Sequence, residues 1–310
     1  MTTPSLTTAD IAHAQERLRA LGHEIAADEV GVLGTTTQTA VAAFQSRCAL
    51  PATGLLDRET LERLHEAGWQ LGSRLLFVTR PAIRGDDVAV LQEKLALLGF
   101  DPGRIDGIFG VLTEHALSDF QGNCGLEATG VLTRATLNEL HRLSSRSEGR
   151  RPVTEARDEA GLRSLHHSGT ILVHGAGALP ALIADGLSAA YDVTFTGSHD
   201  DREAANLAND LGAAVVLATT EQTEHQIEIH YFASYRSRSI LGEQWANEMA
   251  TAITAHTDVP VSTRGMSLPI LRETFMPALH VAIGPLNDNA QRGVADQIVA
   301  VTRAFLNSPR

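Results

Sequence analysis

The residues best able to do chemistry lie in the second half of the chain and on the approach to it. Histidine recurs there as His166, His167, His174, His199, His225, His230, His256 and His280. Neutral imidazole is a common metal ligand, but a zinc site needs three or four donors that converge. Without convergence these histidines read as scattered surface groups or satisfied core groups. Strand-end positions such as His174 could converge with another. A second candidate is Val173-His174-Gly175-Ala176-Gly177-Ala178-Leu179-Pro180, which follows a strand and opens a helix. Gly175 and Gly177 fit the first two glycines of G-x-G-x-x-G, a turn that brings backbone to a pyrophosphate at a helix N-terminus. Pro180 replaces the third glycine, and Thr196-Gly197-Ser198 offers no acid after the next strand. A nucleotide-binding domain at Gly175–Gly177 is thus an incomplete fingerprint. No G-x-S-x-G elbow occurs, and no cysteine lies in this half.

The elements that must hold these residues follow from hydrophobic patterning. Apolar, β-rich runs occur at Thr170–Val173, Asp192–Thr196, Ala214–Ala218, Gln226–Phe232 and Leu279–Ile283. Helical stretches alternate with them at 178–190, 200–211, 237–256 and 289–307. That alternation predicts an α/β domain over 169–310, with a mixed sheet covered by helices. Leu241, Trp245, Met249, Ala252 and His256 form one stripe on the third helix and read as core packing. Residues 147–168 are polar and mixed in charge, which predicts a linker with a helical turn near Glu155–Leu165.

The first half repeats itself. Gln15, Leu18, Leu21 and Gly22 recur as Gln92, Leu95, Leu98 and Gly99. Gly31, Gly34, Thr37, Ala40, Phe44, Gln45, Cys48, Leu50, Gly54, Thr60 and Leu61 recur as Gly107, Gly110, Thr113, Ala116, Phe120, Gln121, Cys124, Leu126, Gly130, Thr136 and Leu137. Each copy reads as three short helices. Gly22 and Gly99 end the first helix, and Asp57 or Thr133 caps the third. The copies span 1–68 and 85–146, and 69–84 joins them. Trp69, Leu71, Leu75, Leu76 and Phe77 predict that this joint packs. Cys48 and Cys124 read as separate thiols, because a bridge needs Cα atoms within about 7 Å.

The pattern Q-x-x-L-x-x-L-G, then D-G-x-F-G-x-x-T-x-x-A-L-x-x-F-Q, then G-V-L-x-x-x-T-L resembles the peptidoglycan-binding type 1 domain. Gln92 to Leu140 match it nearly throughout, while Val30-Gly31-Val32-Leu33-Gly34 departs from it. Phe, Gln and Gly in the pattern read as core and turn positions. They identify the fold better than the ligand.

The second half resembles the zinc-dependent N-acetylmuramoyl-L-alanine amidases of the Amidase_3 type. Arg202, Ala208-Asn209, Gly212-Ala213 and Val215-Val216-Leu217 carry the likeness, as do Leu271-Arg272 and Met276-Pro277-Ala278-Leu279-His280-Val281-Ala282-Ile283-Gly284. The order of domains, with Gln70-Leu71-Gly72-Ser73-Arg74-Leu75 and Gly85-Asp86-Asp87-Val88, resembles the actinobacterial CwlM-type regulators of cell-wall synthesis. The amidase resemblance implies a zinc held by two His and one Glu, with a further Glu that moves the proton. Zinc lowers the pKa of its bound water to roughly 7 and polarises the scissile carbonyl. Here the zinc-His positions fall on Ala176 and Thr220, and the catalytic Glu position falls on Ala282. The ligand Glu belongs in or just before Leu179–Leu182, which holds no acid. His174, His280 and Glu221 lie nearby but do not restore the spacing. The expectation is no catalytic residue, no metal ligand and no cofactor, with zinc required only if the chain is an amidase after all.

Composition bounds the rest. The chain has 310 residues, 43% of them apolar, enough for several domains with real cores. Its 25 Lys and Arg against 37 Asp and Glu give a net charge of −12. That disfavours nucleic acid and anionic membranes as general partners. No basic, apolar leader opens the chain and no run is long enough to span a bilayer, so a cytoplasmic location is expected. Lost chemistry, repeats and location together predict a pseudo-amidase that regulates or scaffolds peptidoglycan biosynthesis. The CwlM-type resemblance implies a partner such as the UDP-N-acetylglucosamine enolpyruvyl transferase, or the machinery for lipid-linked precursors. A muropeptide or precursor ligand is the alternative partner, and an active amidase is the alternative function.

Overall fold

A computed structural model of the chain describes residues 6–25, 27–144, 153, 169–197 and 200–308. The expected turn at Glu155–Leu165, with His166, His167, Ser198 and His199, lies outside the described residues. The chain divides into two compact units, 1–154 and 155–310.

The first unit is helical. Its first copy holds α1 (Thr8–Ala20), α2 (Thr35–Arg47) and α3 (Arg58–Glu66); its second holds α4 (Asp86–Leu97), α5 (Val111–Asn123) and α6 (Arg134–Ser144). The helices end as expected. His23 N–H reaches Leu18 O and Gly22 N–H reaches Arg19 O, and Phe100 and Gly99 make the equivalent bonds to Leu95 and Ala96. These pairs satisfy carbonyls that the helix leaves open. Asp57 accepts from Thr60 N–H at 2.7 Å, and Thr133 accepts from Thr136 N–H at 3.2 Å. Each copy then closes its own core, around Leu18, Val41, Phe44 and Leu64, or around Leu91, Leu117, Phe120 and Leu140.

The glutamines of the repeat are buried brackets. Gln121 donates to Val131 O at 2.9 Å and Thr136 Oγ1 at 3.0 Å, and accepts from Gly130 N–H at 2.9 Å. Gln45 does the same with Leu55, Thr60 and Gly54. Gln92 and Gln15 clasp the loop between the first and second helices of their copies alike, through Gly107 and Thr113 or Gly31 and Thr37. Each amide thereby satisfies loop backbone that has no water available. The departure at Val30 has a local remedy. Asp106 bonds Gln92 Nε2 in the second copy, whereas in the first Glu29 O accepts from Gln15 and Asp28 caps Thr37 N–H.

The joint packs less completely than its apolar residues predict. Leu76 is buried and its carbonyl accepts from Leu132 N–H, but Leu75 and Phe77 are exposed. Its fixed point is Arg74. The guanidinium grips buried Asp87 with two bonds of 2.8 and 2.9 Å, donates to Arg84 O, and lies 4.4 Å from the Trp69 ring. Cys48 and Cys124 are free thiols.

The second unit contains β1 (Ile171–His174), α7 (Ala178–Ser188), β2 (Val193–Phe195), α8 (Asp201–Leu211), β3 (Val215–Glu221), β4 (Ile227–Phe232), α9 (Ile240–Thr254), β5 (Val261–Met266), α10 (Pro269–Arg272), β6 (Ala278–Ile283) and α11 (Asp288–Asn307). The strands make one sheet in the order β2-β1-β3-β6-β4-β5. All pairings are parallel except β4 with β6, so the sheet is mixed as expected. Alternate residues feed opposite faces. Ile171, Val173, Val215 and Leu217 pack under α7, α9 and α11, where Trp245 stacks on Phe305. Leu172, Val216 and Ala278 pack under α8 and α10.

Two expectations fail. The stripe on α9 runs through Leu241, Trp245, Met249 and Ile253, while His256 lies past the helix end and is exposed. β5 was not expected, because Arg264 and Gly265 interrupt its apolar residues. As an edge strand it needs only partial burial.

Replacing the Gln121 bracket tests the first unit. Gln121→Leu should destabilise it by about 2–4 kcal/mol, since three backbone or hydroxyl groups lose their buried partner. The exposed Gln38→Ala should stay within about 0.5 kcal/mol of the parent. Denaturant unfolding of the full chain measures both, and equal effects would contradict the bracket role.

Candidate functional site

Strand register decides which residues meet. Thr220 of β3 and Ala282 of β6 are direct partners, and Glu228 of β4 pairs with Ala282 from the other side. His174 pairs with Ala218, so Ala176 follows β1 toward the same end of the sheet as Thr220. The three positions singled out in the sequence are thus carried to the carboxyl ends of β1, β3 and β6. Such strand ends are where α/β sheets place their sites. The chain passes from β1 to α7 through Gly175-Ala176-Gly177 alone, and the first turn of α7 has no acid. The side chains at the three positions are two methyl groups and one hydroxyl. They do not fit the zinc set that the resemblance implies, which needs imidazole and carboxylate donors.

One row deeper the register gathers histidines. His174, Ala218, His280 and His230 align across β1, β3, β6 and β4, all facing the same side. All three histidines are buried. The sequence left them as scattered surface groups or satisfied core groups, and these three are of the second kind. His174 Nδ1 lies 2.9 Å from Thr196 Oγ1 and its Nε2 lies 3.2 Å from Asp201 Oδ1. His230 and His280 meet Nδ1 to Nδ1 at 3.1 Å, with their ring planes 15° apart. Burial pushes the His280 pKa down to about 4, and neighbouring His230 adds to the effect. Burial also lowers His230, with Glu228 opposing and Arg264 reinforcing. His225 and His256 are exposed and take no part. Among the described residues, no three His, Cys, Asp or Glu side chains are arranged to hold a metal ion.

The glycine turn has a structural use. Gly175 has φ +133°, and a Cβ there would sit 2.5 Å from Thr219 O. Gly177 has φ +100°, and a Cβ there would sit 2.7 Å from a carboxylate oxygen of Glu221. The turn therefore lets the end of β1 and the start of α7 approach the end of β3. Glu221 already places negative charge beside the N-terminus of α7, which favours that carboxylate and repels a pyrophosphate.

The residues that carried the amidase resemblance form the frame. Arg202 of α8 pairs with Glu273 at 2.9 Å. Asn209 Nδ2 donates to Glu273 O at 2.7 Å, and Asn209 Oδ1 accepts from Phe275 N–H at 2.9 Å. Pro277 O then accepts from Val216 N–H and starts β6 beside β3. Sequence spacing alone did not show Glu273 as the partner of Arg202.

Comparison with known proteins agrees with the repeats. Residues 7–64 and 84–140 match the family described as "Putative peptidoglycan binding domain". A 61-residue part of the chain, 20% of it, is 43% identical to the spore cortex-lytic enzyme of Oceanobacillus iheyensis, covering 22% of that protein. An N-acetylmuramoyl-L-alanine amidase structure from Clostridium difficile 630 overlays 46% of this chain and 99% of its own, at 18% identity and a TM-score of 0.37. The class is a protein with tandem peptidoglycan-binding repeats followed by an α/β unit. Within that class, "N-acetylmuramoyl-L-alanine amidase CwlM" of Mycobacterium tuberculosis is 30% identical over 294 residues, covering 82% of this chain and 72% of that protein. The chain belongs to the CwlM family.

The glycine argument can be checked directly. Gly175→Ala should cost about 2 kcal/mol or more, from backbone strain and the clash with Thr219. Gly197→Ala, where φ is +59° and no atom lies within 4 Å of the added Cβ, should cost about half as much or less. Equal losses in thermal unfolding would contradict the close approach.

Proposed function

We propose that this chain is a non-catalytic regulator or scaffold of peptidoglycan biosynthesis that acts by binding. The observation that carries the proposal is the row Ala176, Thr220 and Ala282. By the amidase resemblance these positions answer to those that hold metal and move a proton, and they offer no imidazole and no carboxylate. Glu228 and Glu221 flank the row, but neither restores a set of convergent donors. Arg202 and Asn209 hold Glu273 and so fix α8 against the segment that leads into β6, which suits a rigid surface for recognition.

The ligand class follows from the repeats and from charge. Peptidoglycan-binding repeats point to muropeptide, precursor or the enzymes that make them. A net charge of −12 disfavours attraction to anionic nucleotide-sugar precursors and favours a protein partner. A peptidoglycan-synthesis enzyme in the cytoplasm is the partner this reading selects. No described helix is long and apolar enough to cross a membrane.

Active zinc-dependent amidase is the second reading, favoured by the name of the CwlM relative. The two readings separate in one assay. Full-length protein supplied with zinc should leave the lactyl-amide bond of muropeptides intact, and should bind a synthesis enzyme or a muropeptide in a direct titration. Hydrolysis above the metal-only blank would establish the amidase instead. Absence of both hydrolysis and binding would remove both readings.

A further inference from the structure

The β4–β6 pairing is the single antiparallel seam among the described strands, and His230 faces His280 across it. Their Nδ1 atoms are 3.1 Å apart. At that distance two bare nitrogens repel and two N–H groups clash. The contact therefore requires one proton between the nitrogens. One ring must be the Nδ1–H tautomer and donate; the other must offer its Nδ1 lone pair and carry its own proton on Nε2. We propose that the His230–His280 pair is a proton-limited latch across the β4–β6 seam, closed with one proton between the Nδ1 atoms and opened when both rings are protonated. This inference does not depend on whether the chain is catalytic.

The surroundings define how the latch responds. The groups that face it are His174 from β1, Glu228 from β4, Arg264 from β5 and Asp201 from α8, while β3 presents Ala218. Glu228 Oε2 lies 3.6 Å from His230 Nε2, so one positive charge on the pair has a counterion. A second charge meets Arg264 and His174, and puts two N–H groups at one point. Two residues along each strand, Glu228 and Ala282 are register partners. Opening the latch therefore loosens the floor of the candidate site.

Linkage fixes the sign. Both rings have folded pKa values below the unfolded value of about 6.5, that of His280 at about 4. The unfolded chain then takes up protons that the folded pair refuses. Stability from the latch is fully present above about pH 6.5 and is lost as pH falls toward about 4. Each refused proton raises the unfolding constant by about tenfold per pH unit within that window.

The test combines histidine side-chain NMR with unfolding from pH 8 to pH 4.5, on the full chain. At pH 7 the account expects one Nδ1–H ring and one Nε2–H ring, both uncharged. His230→Gln and His280→Gln should flatten the acid loss of stability, and exposed His225→Gln should leave it unchanged. If either buried variant fails to fold, the tautomers of the parent decide. Two Nε2–H rings, two charged rings at pH 6, or zinc-dependent shifts of both Nδ1 signals would overturn the latch.

Discussion

A polar group that gives up water must find its partner inside the protein, and both units are organised by that constraint. In the helical repeats one buried amide per loop meets it. Gln15, Gln45, Gln92 and Gln121 each hold a glycine N–H, a carbonyl and a threonine hydroxyl. The loops gain fixed shapes from this, and the small cores can close over them. In the α/β unit the same constraint falls on histidine. Three rings sit in a row of the sheet that is otherwise apolar below, and each is answered by a hydroxyl, a carboxylate or another ring. Buried polar networks of this kind specify one arrangement because partial satisfaction is costly.

The candidate site joins a well-tied frame to three positions that carry neither imidazole nor carboxylate. Arg202, Asn209, Glu273 and Pro277 still tie α8 and α10 to the start of β6. The register that this frame imposes brings Ala176, Thr220 and Ala282 to one end of the sheet. These three positions therefore meet without the imidazole and carboxylate donors that a zinc site requires. The carboxylate of Glu221 sits against the turn that would otherwise accept an anion.

Much of this was legible in the sequence. The repeat was readable because Gln, Phe and Gly recur at fixed intervals and each has a positional reason to be there. The sheet was readable where strands are buried on both faces, as in β1, β3 and β6. β5 was hidden because an edge strand tolerates Arg264, and Gly265 is needed where an added Cβ would crowd Ala233. The meeting of His230 with His280 was also hidden. It depends on the antiparallel register of strands separated by fifty residues, which local periodicity does not encode. In the joint, apolar composition suggested full packing, but Arg74 and Asp87 supply the hold, leaving Leu75 and Phe77 outside.

The central claim is that the row Ala176, Thr220 and Ala282 holds no zinc. The most direct measurement is the metal content of full-length protein purified in the presence of zinc and then passed through buffer without it. The account predicts zinc far below one equivalent. About one tightly held zinc per chain, the stoichiometry of a catalytic site, would contradict it.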